Sequence, residues 1–78
     1  MATLRLFAAA REAAGTDRTV IDAGTIREVL AEAERRFGAP FSKVLAASRV
    51  WCNGEPAEPD HLVTASDEVA VLPPVSGG

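Results

Sequence analysis

The sequence has a single cysteine, Cys52, which excludes an internal disulfide. With one histidine, His61, beside it, the chain lacks the ligands of a closed zinc site, and no metal is expected. No apolar run approaches the ~20 residues needed to cross a bilayer, so no membrane is expected as a partner. No basic-then-apolar leader precedes the first strand-like segment, which together with the lone thiol makes a reducing cytoplasm the expected location. A basic stripe is missing too. Eight basic residues are scattered among eleven acidic ones, for a net charge of -3, and nucleic acid is not expected as a partner. Repeats, low-complexity tracts and interdomain linkers are also absent.

What is present is 78 residues, 47% hydrophobic and 24% charged, a composition that argues for one soluble folded domain and against disorder. Thr3 to Ala8 alternates, with Leu4, Leu6 and Ala8 on one side and Thr3, Arg5 and Phe7 on the other, the period-2 pattern of a strand. Ala9 to Ala14 reads as a short helical turn closed by Gly15. The β-branched Thr19, Val20 and Ile21 place a second strand over Arg18 to Asp22. Thr25 and Glu28 have the T-x-x-E spacing of a capping box, and Ile26, Val29, Leu30, Ala33 and Phe37 form one apolar stripe at 100° per residue. A helix is therefore expected from Thr25 to a stop at Gly38 and Pro40, with Glu32 paired to Arg36.

Phe41 to Ala47 has the spacing of a helical turn. Arg49 to Cys52 reads as a third strand ending at Asn53-Gly54, a dipeptide that favours a tight hairpin. Pro56 and Pro59 limit pairing, so Ala57 to Ser66 is expected to hold a short edge strand and then a loop. Asp67 to Leu72 is the last strand, halted by Pro73-Pro74. This order points to an α+β domain, one sheet of four to five strands covered on one face by one main helix. The strands carry apolar residues on both sides, so the uncovered face is expected to dock a partner protein, with Phe7 and Leu72 as candidates against burial under a loop.

No ordinary active site emerges. Cys52 reads as a small core hydrophobe and His61, beside Asp60, as a surface residue. Glu28, Glu32 and Glu34 lie on a wet helix face and Asp67-Glu68 precedes a strand, so no buried carboxylate pair is available for acid–base work. The end of the chain is different. Pro73 and Pro74 fix φ and remove two backbone donors, so the chain divides into a domain, residues 1–74, and a flexible, extended tail, residues 75–78. Val75, Ser76 and Gly77 lead to Gly78. Two glycines without side chains suit a narrow channel in another protein, presenting the Gly78 carboxylate to a buried reagent.

Leu6-Phe7-Ala8, Arg11-Glu12 and Gly15-Thr16-Asp17 near the start, with Asp67-Glu68-Val69-Ala70 and Pro73-Pro74-Val75-Ser76-Gly77-Gly78 at the end, resemble the small subunits of molybdopterin synthase. These lie within the ubiquitin-like sulfur carriers, a family that includes the thiamine-pathway carrier. The resemblance implies a β-grasp fold and a carrier rather than a catalyst, its acid–base residues residing on a large subunit. An adenylyltransferase similar to the ubiquitin-activating class would use ATP to adenylate Gly78. A sulfurtransferase or cysteine desulfurase would supply the sulfur that leaves a thiocarboxylate there. No cofactor would be bound by the chain itself. The tail, from Pro73 to Gly77, would thread into the large subunit of a heterotetramer, where the thiocarboxylate attacks the cyclic pyranopterin precursor. The sequence already stops at the second glycine, so no maturation cut is expected. The alternatives are sulfur delivery to a thiazole, a transfer RNA base or a cysteine precursor, a protein modifier joined through Gly78, or an interaction module with an inert tail.

Overall fold

A computed structural model describes residues 1–74. Its elements, in chain order, are β1 (Ala2–Leu6), α1 (Ala8–Ala14), β2 (Arg18–Ile21), α2 (Ile26–Phe37), α3 (Ala39–Ala46), β3 (Arg49–Cys52), β4 (Glu55–Pro56) and β5 (Glu68–Leu72). They form one five-stranded sheet in the order β2-β1-β5-β3-β4. β1 runs parallel to β5 and the other neighbours are antiparallel. This mixed sheet with its crossing helices is the β-grasp fold.

Alternation decides which side is dry. Ala2, Leu4 and Leu6 of β1, Ile21 of β2, Cys52 of β3 and Val69 and Val71 of β5 point to one face and are buried there. Ile26, Val29 and Ala33 of α2, Phe41 of α3 and Ala10 of α1 close over them. The longest helix is α2, as expected, but α1 and α3 share the same face with it. Phe37 meets Phe41 edge to face at 5.3 Å between ring centroids, which fixes α3 against the end of α2. The reversal between these helices is Gly38, at φ 82, a conformation that favours glycine.

The start of α2 shows how local chemistry and tertiary contacts combine. Thr25 Oγ1 accepts from the backbone N–H of Glu28 at 3.2 Å, and Glu28 Oε1 reaches back to the N–H of Gly24 at 3.1 Å. Two further first-turn donors have no partner inside the helix. They are taken from outside: Ile26 N–H donates to the carbonyl of His61 at 3.0 Å and Arg27 N–H to that of Pro59 at 2.8 Å. This corrects the expected strand within Ala57 to Ser66. The fourth strand is the two-residue β4, and between it and β5 the chain forms only a single bridge, Leu62 with Thr25. Proline lacks the N–H for a ladder, and the carbonyls of this segment are spent on capping α2.

The first strand also ends sooner than its alternation implies. Phe7 is extended, at φ -124 and ψ 152, but Ala8 turns to φ 48, so the chain leaves the sheet after Leu6 and enters α1. The α2 face behaves as read: Glu32 pairs with Arg36 at 2.8 Å, and also with Arg35 at 2.6 Å.

Candidate functional site

β5 lies in the middle of the sheet, hydrogen-bonded to β1 on one side and β3 on the other. The strand that leads to the chain's end is therefore held along both of its edges. Its last residue, Leu72, pairs with Arg49. Pro73 and Pro74 follow, half-buried and exposed, and neither has an N–H to extend the ladder. The domain thus delivers residue 74 at one end of the sheet. Val75, Ser76, Gly77 and Gly78, and with them the expected flexible tail, lie outside the described residues.

The second feature is the sheet face that no helix covers. The registers set Pro56, Trp51, Ala70, Arg5 and Arg18 in one row across all five strands. Arg49 beside Leu72 forms the next row toward the exit end. Phe7 directly follows Leu6, and Leu72 directly follows Val71, the partner of Leu6. The two candidate docking residues are thus brought to the same end of the sheet, where the chain departs. Phe7 is 38% exposed and Leu72 half-buried, and neither belongs to the buried core. The Arg5 guanidinium stands 5.6 Å above the Phe7 ring and contacts Glu68 at 3.4 Å.

Arginine surrounds the apolar centre of this face. Arg5, Arg18 and Arg49 are there, with Glu68 as the one acid among them, although the chain as a whole carries a net charge of -3. Sequence reading named Phe7 and Leu72 as the docking candidates here, with Arg5 on the same side of β1 as Phe7, but did not place Arg49 or Trp51. The alternation of β1 and β3 held the signal, since the residues between the buried ones must face the other way.

Elsewhere the described residues offer no conventional catalytic constellation. They contain no group of three His, Cys, Asp or Glu placed to hold a metal ion. Cys52 is buried, and burial first, then the nearby Asp67 carboxylate, pushes its thiol pKa up, which disfavours the reactive thiolate. His61 is exposed and contributes its carbonyl to α2. Among the described residues, no helix is long and apolar enough to cross a membrane.

A mixed five-stranded sheet with its last strand central and its helices packed on one face defines a ubiquitin-like fold, and comparison with known proteins makes this specific. The ThiS family model matches residues 4–78, and the chain belongs to that family of ubiquitin-like sulfur carriers. Among solved structures, SAMP1 from Haloferax volcanii is 32% identical, with a TM-score of 0.82 over 99% of this chain and 98% of that one. A Pyrococcus furiosus protein assigned as subunit 1 of a molybdopterin converting factor is 25% identical, with a TM-score of 0.83 over 95% of this chain and 97% of that one. The complex of subunits 1 and 2 of the molybdopterin-converting factor from Helicobacter pylori contains a chain 19% identical, a likeness of fold, with a TM-score of 0.75 over 99% of this chain and 97% of that one. No curated protein matches.

Proposed function

We propose that this chain is the small subunit of a molybdopterin synthase, carrying sulfur as a thiocarboxylate on Gly78 to the cyclic pyranopterin precursor in the cytoplasm. The observation that carries this reading is a family match that runs through residue 78, on a domain whose central strand is followed by Pro73-Pro74 and then, in sequence, by Val75-Ser76-Gly77-Gly78. The Pyrococcus furiosus relative favours this acceptor over the others.

The chemistry needs activation because a carboxylate is a poor electrophile. A Gly78 carboxylate oxygen attacks the α-phosphorus of ATP on an activating enzyme, and pyrophosphate leaves. The terminal sulfur of a sulfurtransferase or cysteine desulfurase persulfide then attacks the acyl carbon, and AMP leaves. A second thiol cleaves the resulting acyl disulfide to release the thiocarboxylate. Its sulfur displaces an oxygen substituent of the pterin precursor within the large subunit, which supplies proton transfer, and water then cleaves the acyl–sulfur bond, leaving the sulfur on the pterin and returning the Gly78 carboxylate. The open face would seat the large subunit, and its chemistry specifies what fits: an apolar patch opposite Trp51, Ala70 and Leu72, ringed by carboxylates for Arg5, Arg18 and Arg49.

The relationship to a small archaeal modifier protein, the Haloferax volcanii relative, favours a second reading, in which Gly78 also forms amide bonds with other proteins. One experiment separates them. Intact mass spectrometry of the protein recovered from cells should show an oxygen-to-sulfur exchange at Gly78, lost when Gly78 is deleted. A chain that never gains sulfur, or a Gly78 deletion that loads normally, refutes the carrier reading. A ladder of Gly78-linked conjugates with no sulfur gain supports the modifier.

A further inference from the structure

The Asn53-Gly54 hairpin is bound to the start of β5 by a compact polar clasp. Asn53 Nδ2 donates to Asp67 Oδ1 at 2.8 Å, and Asn53 Oδ1 accepts from the N–H of Glu68 at 2.8 Å. The Asn53 N–H donates to the Glu68 carbonyl, also at 2.8 Å. Asp67 is itself fixed, because its second oxygen accepts from Thr64 N–H at 2.8 Å and from the Thr64 hydroxyl at 3.3 Å. Both turn residues are left-handed, with φ 52 at Asn53 and 83 at Gly54, the two-residue hairpin geometry.

An asparagine before glycine is chemically exposed. The next backbone nitrogen has no side chain guarding it, so Gly54 N can attack Asn53 Cγ. A C–N bond forms, ammonia leaves, and water opens the cyclic imide to aspartate or isoaspartate. That attack requires the Asn53 amide to swing toward Gly54 N. In this structure both ends of the amide are held toward β5 instead.

We propose that Asn53 is a latent self-modification site, which Asp67 holds closed and which, once reacted, unfastens the start of β5. The product has a carboxylate where the Nδ2 donor stood, facing the Asp67 carboxylate. Like charges replace a hydrogen bond, and the clasp cannot re-form. The isoaspartate product also lengthens the backbone inside a two-residue turn, disturbing the register of β3 with β4. The strand released is the one that leads to Pro73 and Pro74. A chain that has opened at this corner is therefore marked permanently.

The test follows the intact chain during incubation at neutral pH, with the amide-to-acid mass change mapped to the peptide containing Asn53. Asp67→Ala should react about tenfold faster than the unaltered chain, the order expected from losing one hydrogen bond to a charged group. Ala33→Gly, a destabilising change in α2 far from the turn, serves as the control for global opening. Acceleration by Asp67→Ala alone supports the proposal. Equal acceleration by both variants, or none by Asp67→Ala, overturns it. The reacted fraction of unaltered chain, separated by charge, should exchange the Glu68 amide hydrogen faster than the unreacted fraction; equal exchange overturns the second half.

Discussion

Ala8 sits where two rules demand opposite outcomes. It is the first residue of α1 and solvent-exposed, yet its φ is 48, within the left-handed region. Helix propensity alone makes Ala8→Gly destabilising, by about 1 kcal/mol. The observed φ reverses the sign. Alanine in a left-handed conformation is strained by about 1 kcal/mol, and glycine relieves that strain where no buried contact is lost. Ala8→Gly should therefore raise the melting temperature by about 4–8 °C, the shift that 1 kcal/mol produces in a domain of this size. Ala8→Val, with a β-branched side chain at the same φ, should lower it. Circular-dichroism melts of both variants decide the matter, and sulfur loading checks that Ala8→Gly keeps the site. A lower melting temperature for Ala8→Gly would refute the argument that this joint is strained.

Other expectations follow from the same contacts. Phe7→Asp should weaken binding to the large subunit by at least about tenfold in calorimetric titration, since a carboxylate placed in an apolar docking centre must be desolvated; unchanged affinity with a lowered melting temperature would make Phe7 a folding residue only. Thr25→Ala should cost about 1 kcal/mol by removing the cap that receives the Glu28 N–H, read as a melting temperature lowered by about 4–8 °C. Hydrogen bonds from Arg35 and Arg36 hold the Glu32 pKa down, from an ordinary 4.5 to about 2. A depressed carboxylate pKa stabilises the fold above the unfolded value, and that stability is lost as pH falls from about 4.5 through about 2. Glu32→Gln should therefore flatten the acid side of the stability profile in denaturant melts; an unchanged slope there means the pair adds nothing.

The elements legible in the sequence were those whose signals are local. The Thr25–Glu28 spacing, the stripe from Ile26 to Phe37 and the stop at Gly38 are set by neighbours within one turn, and α2 has the bounds they imply. Asn53-Gly54 likewise specifies its own turn. What escaped depends on distant partners. The alternation of β1 runs past Leu6, and nothing in the pattern announces that Ala8 turns the chain away. The segment after β4 looked strand-forming because its use, capping α2 with the carbonyls of Pro59 and His61, exists only once helix and segment meet. The open face was half visible: Phe7 and Leu72 stood out as apolar, whereas the row through Trp51, Ala70 and Arg5 required the strand registers. The expectation for Gly78 rests on chain chemistry alone, on the two prolines and two glycines of the last six residues, and falls outside the described residues.

The central position of β5 imposes an order of events on the making of this protein. Both of its neighbours, β1 and β3, emerge from the ribosome before it, and they are not paired with each other. Until β5 arrives, the sheet is two unjoined fragments with a gap of one strand between them. The apolar residues that β5 contributes, Val69 and Val71, complete the interior at the same moment. A nascent or truncated chain that lacks β5 thus has no continuous sheet to present, and the open face comes into being only with the last strand.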